Sequence, residues 1–203
     1  MKFAELSNRI FDESVAAYHR TDDVDAPQPM PYESGTPEAV LFAKNWIDAV
    51  QWHLEDIIRN PDIDPVEALA LKRRIDKSNQ DRTDMVEELD TYFRDKWADV
   101  KPLPGATINT ESPAWALDRL SILALKIWHM KEQTERMDAE EAHRARCAAK
   151  LEVLLEQRVD LTEAIDTLLS DIASGRKHMK VYRQMKMYND KDTNPVLYGK
   201  RKA

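Results

Sequence analysis

Apolar residues recur along this chain at the three- and four-residue intervals of helices buried on one side, and polar residues fill the positions between them. Phe3, Leu6, Ile10, Phe11, Val15 and Tyr18 mark one such face and predict a helix over Lys2–His19. Val40, Ala43, Ile47, Val50, Leu54 and Ile57 form a heptad-like seam, with Thr36 as N-cap, Pro37 at the first helical position and Asn60-Pro61 as the stop. A third helix opens at Asp64-Pro65-Val66-Glu67, read as a capping box, and meets no breaker before Lys101-Pro102, so it is predicted to run to about Trp97. Its seam is Leu71, Ile75, Ser78, Arg82, Met85, Leu89 and Tyr92, with two polar residues at mid-length.

Ser112-Pro113 caps a fourth helix predicted to reach Met137, whose middle, Leu120–Trp128, is apolar almost all round and marks it as central. Asp138-Ala139-Glu140-Glu141 reads as the capping box of a fifth. The seam of that helix is Cys147, Leu151, Leu154, Arg158, Leu161, Ile165, Leu168 and Ile172, and Ser174-Gly175 ends it. Residues 176–188 are expected to be helical again, and the chain from Asn189 on to be extended. The fold class expected is all-α, an antiparallel helical bundle of five to six helices with long central helices. Residues 1–188 are read as one domain and 189–203 as a basic tail.

Composition agrees with helices. Four glycines in 203 residues leave little for tight turns and bulges, and 33% charged residues suit long solvated faces. The net charge of −7 is unevenly spread: residues 175–203 hold nine Lys/Arg against two acids, so the remainder is strongly acidic. An acidic body makes nucleic-acid binding unfavourable, while the basic end leaves room for an anionic small molecule or an acidic protein partner. The segment from Arg176 to Tyr188 interleaves basic residues with Met and Tyr; it could equally pack on the acidic body of its own molecule. A single cysteine, Cys147, excludes an intrachain disulfide and fits a reducing compartment. The start of the chain shows no secretory signal, and the longest apolar stretch is too short for a membrane span, so a cytoplasmic location is expected.

Charged residues inside the seams carry the candidate chemistry. If the fourth and fifth helices meet near 137 and 139 and run antiparallel, Ile122 faces Leu154, Leu125 faces Leu151, His129 faces Cys147, and Asp118 faces Arg158. A buried charge needs a partner, so Asp118 and Arg158 are expected to form a structural pair. Arg82 then has no obvious partner and, with Asn79, Arg119 and Lys126, is the candidate ligand-binding set, since its planar fork holds oxyanions in bidentate fashion. Weaker catalytic candidates are His53, Glu55 and Asp118, which could serve as acid or base. No cofactor and no metal is expected: His53 lies off the stripe shared by Asp48, Trp52 and Glu55, and no Cys/His cluster has ligand spacing.

Several strings, Trp52-His53-Leu54-Glu55-Asp56-Ile57-Ile58-Arg59, Ser78-Asn79-Gln80-Asp81-Arg82, Glu111-Ser112-Pro113 and Asp118-Arg119-Leu120-Ser121-Ile122-Leu123-Ala124-Leu125-Lys126-Ile127, resemble a family of bacterial helical proteins known as domain of unknown function 4254. The ending Lys186-Met187-Tyr188-Asn189-Asp190 is similar too. The resemblance spans the second helix to the tail and carries no established catalytic or binding residue. Members are encoded near glycosyltransferase and lipopolysaccharide-synthesis genes, which implies a role in surface-polysaccharide biosynthesis. The expectation is therefore a non-enzymatic helical binding or scaffold protein, with a homodimer through a long helix. The alternative is an enzyme acting on a nucleotide sugar or other phosphorylated small molecule, with Arg82, Arg119 and Lys126 holding the anion.

Overall fold

A computed structural model describes residues 1–185, 187 and 190–199. Five long helices carry the fold: α1 (Phe3–Tyr18), α2 (Pro37–Ile57), α3 (Pro65–Lys96), α4 (Pro113–Glu135) and α5 (Glu141–Ala173). A short α6 (Pro195–Tyr198) follows, where an extended tail was expected. The helix starts follow the side chains that satisfy free backbone N–H groups. Thr36 accepts from the Ala39 N–H, Asp64 from those of Val66 and Glu67, and Ser112 from that of Trp115. The start of α5 differs. Asp138 bonds the Arg136 guanidinium instead of capping, and α5 begins three residues later behind Glu140, without a side-chain cap.

Only α4 packs against all four other long helices, as its apolar circumference predicts. Around it lie Phe11 and Tyr18 of α1, Phe42 and Trp46 of α2, Leu89 and Phe93 of α3, and Ile165 and Leu169 of α5. Fully burying one such side chain contributes roughly 1.5–3 kcal/mol, which is why this core rather than the solvated faces decides the packing.

The bundle is not antiparallel throughout. Ser14 bonds the Phe42 carbonyl and Tyr18 packs on Trp46, so α1 and α2 advance together. Lys44 meets Asp118 and Asp48 meets Ser121, so α2 and α4 also run together. Against them run α3, through Arg82–Asp118 and Asp90–Ser112, and α5, through Ala4–Asp166 and Arg158–Asp12. The cause is the long connection from 19 to 36. At about 3.3 Å per residue it can return the full length of a helix, and Tyr32 ties it to Glu13 part of the way back along α1. Three helices therefore end at the same end of the bundle.

The segment expected to be helical from 176 to 188 is extended as far as the described residues show it. Gly175 ends α5 at φ +74°, and a Cβ there would lie 2.7 Å from the Lys101 carbonyl oxygen, so the turn requires glycine. Beyond it, Leu103 N–H bonds the Gly175 carbonyl, Thr107 N–H that of Arg176, and His178 N–H that of Thr107. Those backbone groups are committed to the 102–110 loop and are not free to build a helix. Lys186 and Tyr188 lie outside the described residues.

Candidate functional site

Where α2, α3 and α4 meet, four charged side chains neutralise one another. The Lys44 ammonium, 1% exposed, contacts Asp48 and lies 2.7 Å from Asp118 Oδ1. The Arg82 guanidinium donates to both Asp118 oxygens at 3.1 Å and to the Asn79 side-chain oxygen at 2.9 Å. The Ser121 hydroxyl donates to Asp48 at 2.6 Å and accepts from Asn45 at 2.9 Å. Burial pushes the Asp48 carboxyl above the usual carboxylate range despite the lysine beside it, and the nearby Asp118 adds to the shift. A buried cluster of this kind survives because each charge has both a counter-charge and a hydrogen bond.

This arrangement corrects the expected pairing. Asp118 is buried and paired, as its place in the seam required, but its partners are Lys44 and Arg82. Arg158 bonds Asp12 at 2.6 Å and Asn8 at 2.9 Å on α1. Asp118 and Arg158 point to different neighbours because α4 is apolar on most of its circumference, so the register between α4 and α5 alone could not say which face each charge takes. His129 likewise faces α1 and α2, and Cys147 is set beside His143 at 3.4 Å. Lys44 and Asn45 are the members that the seams do not announce; the available signal is Lys44, Asn45 and Asp48 on the inner side of a helix buried over much of its circumference.

The candidate ligand-binding set divides. Asn79 and Arg82 join Asp118, whereas Arg119 and Lys126 line a groove between α4 and α5 with Gln157 and Asp160, and Arg119 is held by Glu111 at 2.8 Å. His53, Glu55 and Asp118 also separate. Glu55 lines a groove of about 350 Å³ over the ion cluster, together with Asp48, Gln51, Trp52, Asp56, Arg59, Arg82, Ile122 and Leu125. Asp48, Trp52 and Glu55 do share one face there, as their spacing predicts. Both cations on the groove are already neutralised, Arg59 by Glu55 at 2.6 Å and Arg82 by Asp118.

His53 belongs to a third arrangement. One ring nitrogen from each of His19, His53 and His129 lies within 4.8 Å of the other two. Each ring is stacked: Trp128 on His19 at 4.7 Å, Tyr18 on His53 at 5.1 Å and Trp52 on His129 at 4.7 Å. Burial holds the His53 imidazole below its ordinary pKa, and the neighbouring His129 and His19 lower it further, against the opposing pull of Asp22. Burial, then Asp22 and Asp23, push the Tyr18 phenol up to about 12, so it stays protonated. Among the described residues, these three are the group that could hold a metal ion. No local spacing announces them, since each histidine stands alone on its own helix.

Fold and clusters together define an all-α helical protein organised around a buried, internally neutralised ion cluster. The chain belongs to the DUF4254 family, described as a protein of unknown function, which residues 38–181 match. The matched stretch contains the whole ion cluster, His53 and His129, whereas His19 and Asp22 fall before it. No curated protein and no solved structure is detectably similar to the chain. Among the described residues no helix is long and apolar enough to cross a membrane.

Proposed function

We propose that this chain is a non-enzymatic, cytoplasmic binding protein of bacterial surface-polysaccharide biosynthesis that takes a saccharide unit in the groove over α2, α3 and α4. The observation that carries this reading is the setting of the Trp52 indole: Ile122 and Leu125 supply apolar wall, and Gln51, Glu55, Asp56 and Arg59 supply polar rim. A sugar ring has a C–H face that packs on an aromatic or aliphatic surface and an edge of hydroxyls that both donate and accept, so it suits a small apolar pocket with a few convergent polar groups. The alternative, an enzyme holding a phosphorylated substrate, is less well supported: a phosphate needs an uncommitted cation, and Arg59 and Arg82 are each occupied by a carboxylate.

Titration calorimetry and saturation-transfer NMR against neutral oligosaccharides and sugar phosphates test the reading. Neutral saccharides are expected to bind with Kd of about 1 mM or tighter, and Trp52→Ala to weaken them at least tenfold. Binding confined to sugar phosphates, unaffected by Trp52→Ala and lost in Lys126→Ala, would move the site to the α4–α5 groove and favour the enzyme.

Self-association through a long helix is part of the same proposal. Its support is the middle of α5, where Val153, Leu155 and Val159 are exposed. Light scattering at micromolar concentration is expected to give twice the chain mass, and a clean monomer would remove it. The basic segment has a plainer role available, because Arg176 bonds Asp171 at 2.8 Å and the Gln184 N–H bonds Glu87 at 3.0 Å on its own molecule.

A further inference from the structure

Because α1, α2 and α4 run in the same direction, their C-terminal ends gather at one end of the bundle. His19 is the residue that closes α1, His53 lies in the last turns of α2, and His129 lies six residues before the end of α4. The three rings meet there behind Tyr18, Trp52 and Trp128, which fix their planes from outside.

The hydrogen-bond pattern decides which nitrogens face inward. His19 Nδ1 lies 2.7 Å from the Val15 carbonyl oxygen, which can only accept, so Nδ1 carries the proton. His129 Nδ1 lies 2.9 Å from Glu132 Oε2 and donates to that carboxylate in the same way. Their Nε2 atoms are thereby left as lone-pair donors. The Nε2 atoms of His19, His53 and His129 are all buried, and none has a hydrogen-bond partner. Orphaned ring acceptors are uncommon singly in a protein interior. Two such lone pairs beside a third buried, unpartnered imidazole nitrogen call for a shared electron-pair acceptor.

We infer that the Nε2 atoms of His19, His53 and His129 bind one late first-row divalent cation, with zinc the ion tested below. Neutral imidazole nitrogens suit zinc and its neighbours rather than calcium or magnesium, which take oxygen. Ligands arranged tetrahedrally about 2.0–2.1 Å from zinc stand roughly 3.3 Å apart. One ring nitrogen of each histidine already lies within 4.8 Å of the other two, so such a set needs to close by no more than about 1.5 Å. The outer contacts have the form that orients metal-bound histidines: a carboxylate behind His129 and a backbone carbonyl behind His19. Helix C-termini at the same end add negative potential that favours a cation. Asp22 can complete the set. Its Oδ1 lies 3.7 Å from His53 Nε2. A water molecule is the other occupant of that position.

The inference is independent of the saccharide reading, although Trp52 stands between the two sites. Full-length protein stripped with chelator is titrated with zinc by calorimetry, and with cobalt while its visible spectrum is followed. The expected result is one ion per chain and an intense tetrahedral cobalt spectrum. His129→Gln and His53→Gln should lose at least a hundredfold in affinity, and Glu132→Gln about tenfold to a hundredfold. His143→Gln and His178→Gln, which replace the two remaining histidines, should bind as the parent does. Absence of zinc binding at micromolar protein would overturn the inference, as would full binding by His129→Gln or loss confined to His143→Gln beside Cys147. Should the trio variants fail to fold, nitrogen-15 spectra of the parent protein decide. A zinc-induced shift of three Nε2 signals supports the site, and histidine signals unmoved by zinc refute it.

Discussion

The two polar clusters of this molecule share α2 and α4 but are built on opposite terms. In the ion cluster, Lys44 and Arg82 are matched by Asp48 and Asp118, and the remaining hydrogen-bonding capacity goes largely to Asn79, Asn45 and Ser121. In the histidine cluster, three ring nitrogens lie together without a hydrogen-bond partner among the described residues, and Asp22 Oδ1 stands off at 3.7 Å from His53 Nε2. A network whose charges are matched within it, here with Arg82 Nε and Asn45 Oδ1 left unpartnered, holds a fold in register and has little charge left to offer a ligand. A set left open at its centre adds little to the fold alone, and its natural complement is something the chain does not encode. The two regions therefore separate in how they respond to truncation and to added metal.

Truncating Asp118 should have the largest effect. Asp118→Ala leaves Lys44, 1% exposed, and Arg82 with one counter-charge between them. Breaking a buried ion pair by removing one partner costs about 3–5 kcal/mol, so urea unfolding at neutral pH should show a loss of that order. A variant within about 0.5 kcal/mol of the parent would show that the cluster is not structural.

The histidine cluster should respond to metal instead. Zinc at a hundredfold over its Kd should stabilise the parent protein by about 2.7 kcal/mol. Sites that share no partner give additive effects to within roughly 0.3–0.5 kcal/mol, so any Asp118 variant that still folds should gain the same increment. Loss of the increment there would merge the two clusters into one cooperative unit and end the contrast.

A third carboxylate gives a pH-dependent version of the comparison. Asp90 is 2% exposed and pairs with no cation among the described residues; it accepts from the Ser112 hydroxyl at 2.6 Å and the Ala114 N–H at 3.2 Å, where α4 begins. Burial raises its pKa above the ordinary carboxylate value, and those two hydrogen bonds only partly oppose the rise. The folded chain therefore holds this proton to higher pH than the unfolded chain does. Its contribution to stability is complete below the ordinary carboxylate pKa and is lost as pH rises through the raised value. Relative to Asp90→Asn, the parent should become more stable as pH falls from 7 towards 4, measured by urea unfolding at each pH. A difference that stays flat across that range would show that the carboxylate is not raised.

Which of these features the sequence discloses follows from where their causes lie. Helix starts at Thr36, Asp64 and Ser112 are local, since each cap bonds an N–H two or three residues on, and all three are legible. The central place of α4 is legible because its apolar residues run all round. The parallel course of α1 and α2 is not, because the loop from 19 to 36 sets it and no periodicity records a loop's path. The histidine trio is hidden for the same reason: each ring depends on two partners from other helices, and their meeting waits on that parallel course. Residues 176–188 read as helical in the sequence, but backbone groups at the start of the segment bond the 102–110 loop, and side-chain composition carries no trace of that.

Asp118 and Arg158 give the finest test of these distinctions, because sequence register pairs them and the structure does not. Arg158 lies on α5 with its side chain 20% exposed, against an Asp12 that is 55% exposed. An ion pair so open to solvent is worth about 0–1 kcal/mol, so Arg158→Ala should cost little through that charge pair. A double-mutant cycle between positions 118 and 158 removes the cost of each truncation and leaves only their interaction. Sites without a shared partner should couple by less than about 0.5 kcal/mol, whereas the cycle between Asp118 and Arg82 should return roughly 0.5–3 kcal/mol. If the first coupling equals the second, the two charges meet after all, α4 turns Asp118 towards α5, and the closed cluster on α2 and α3 loses its central carboxylate.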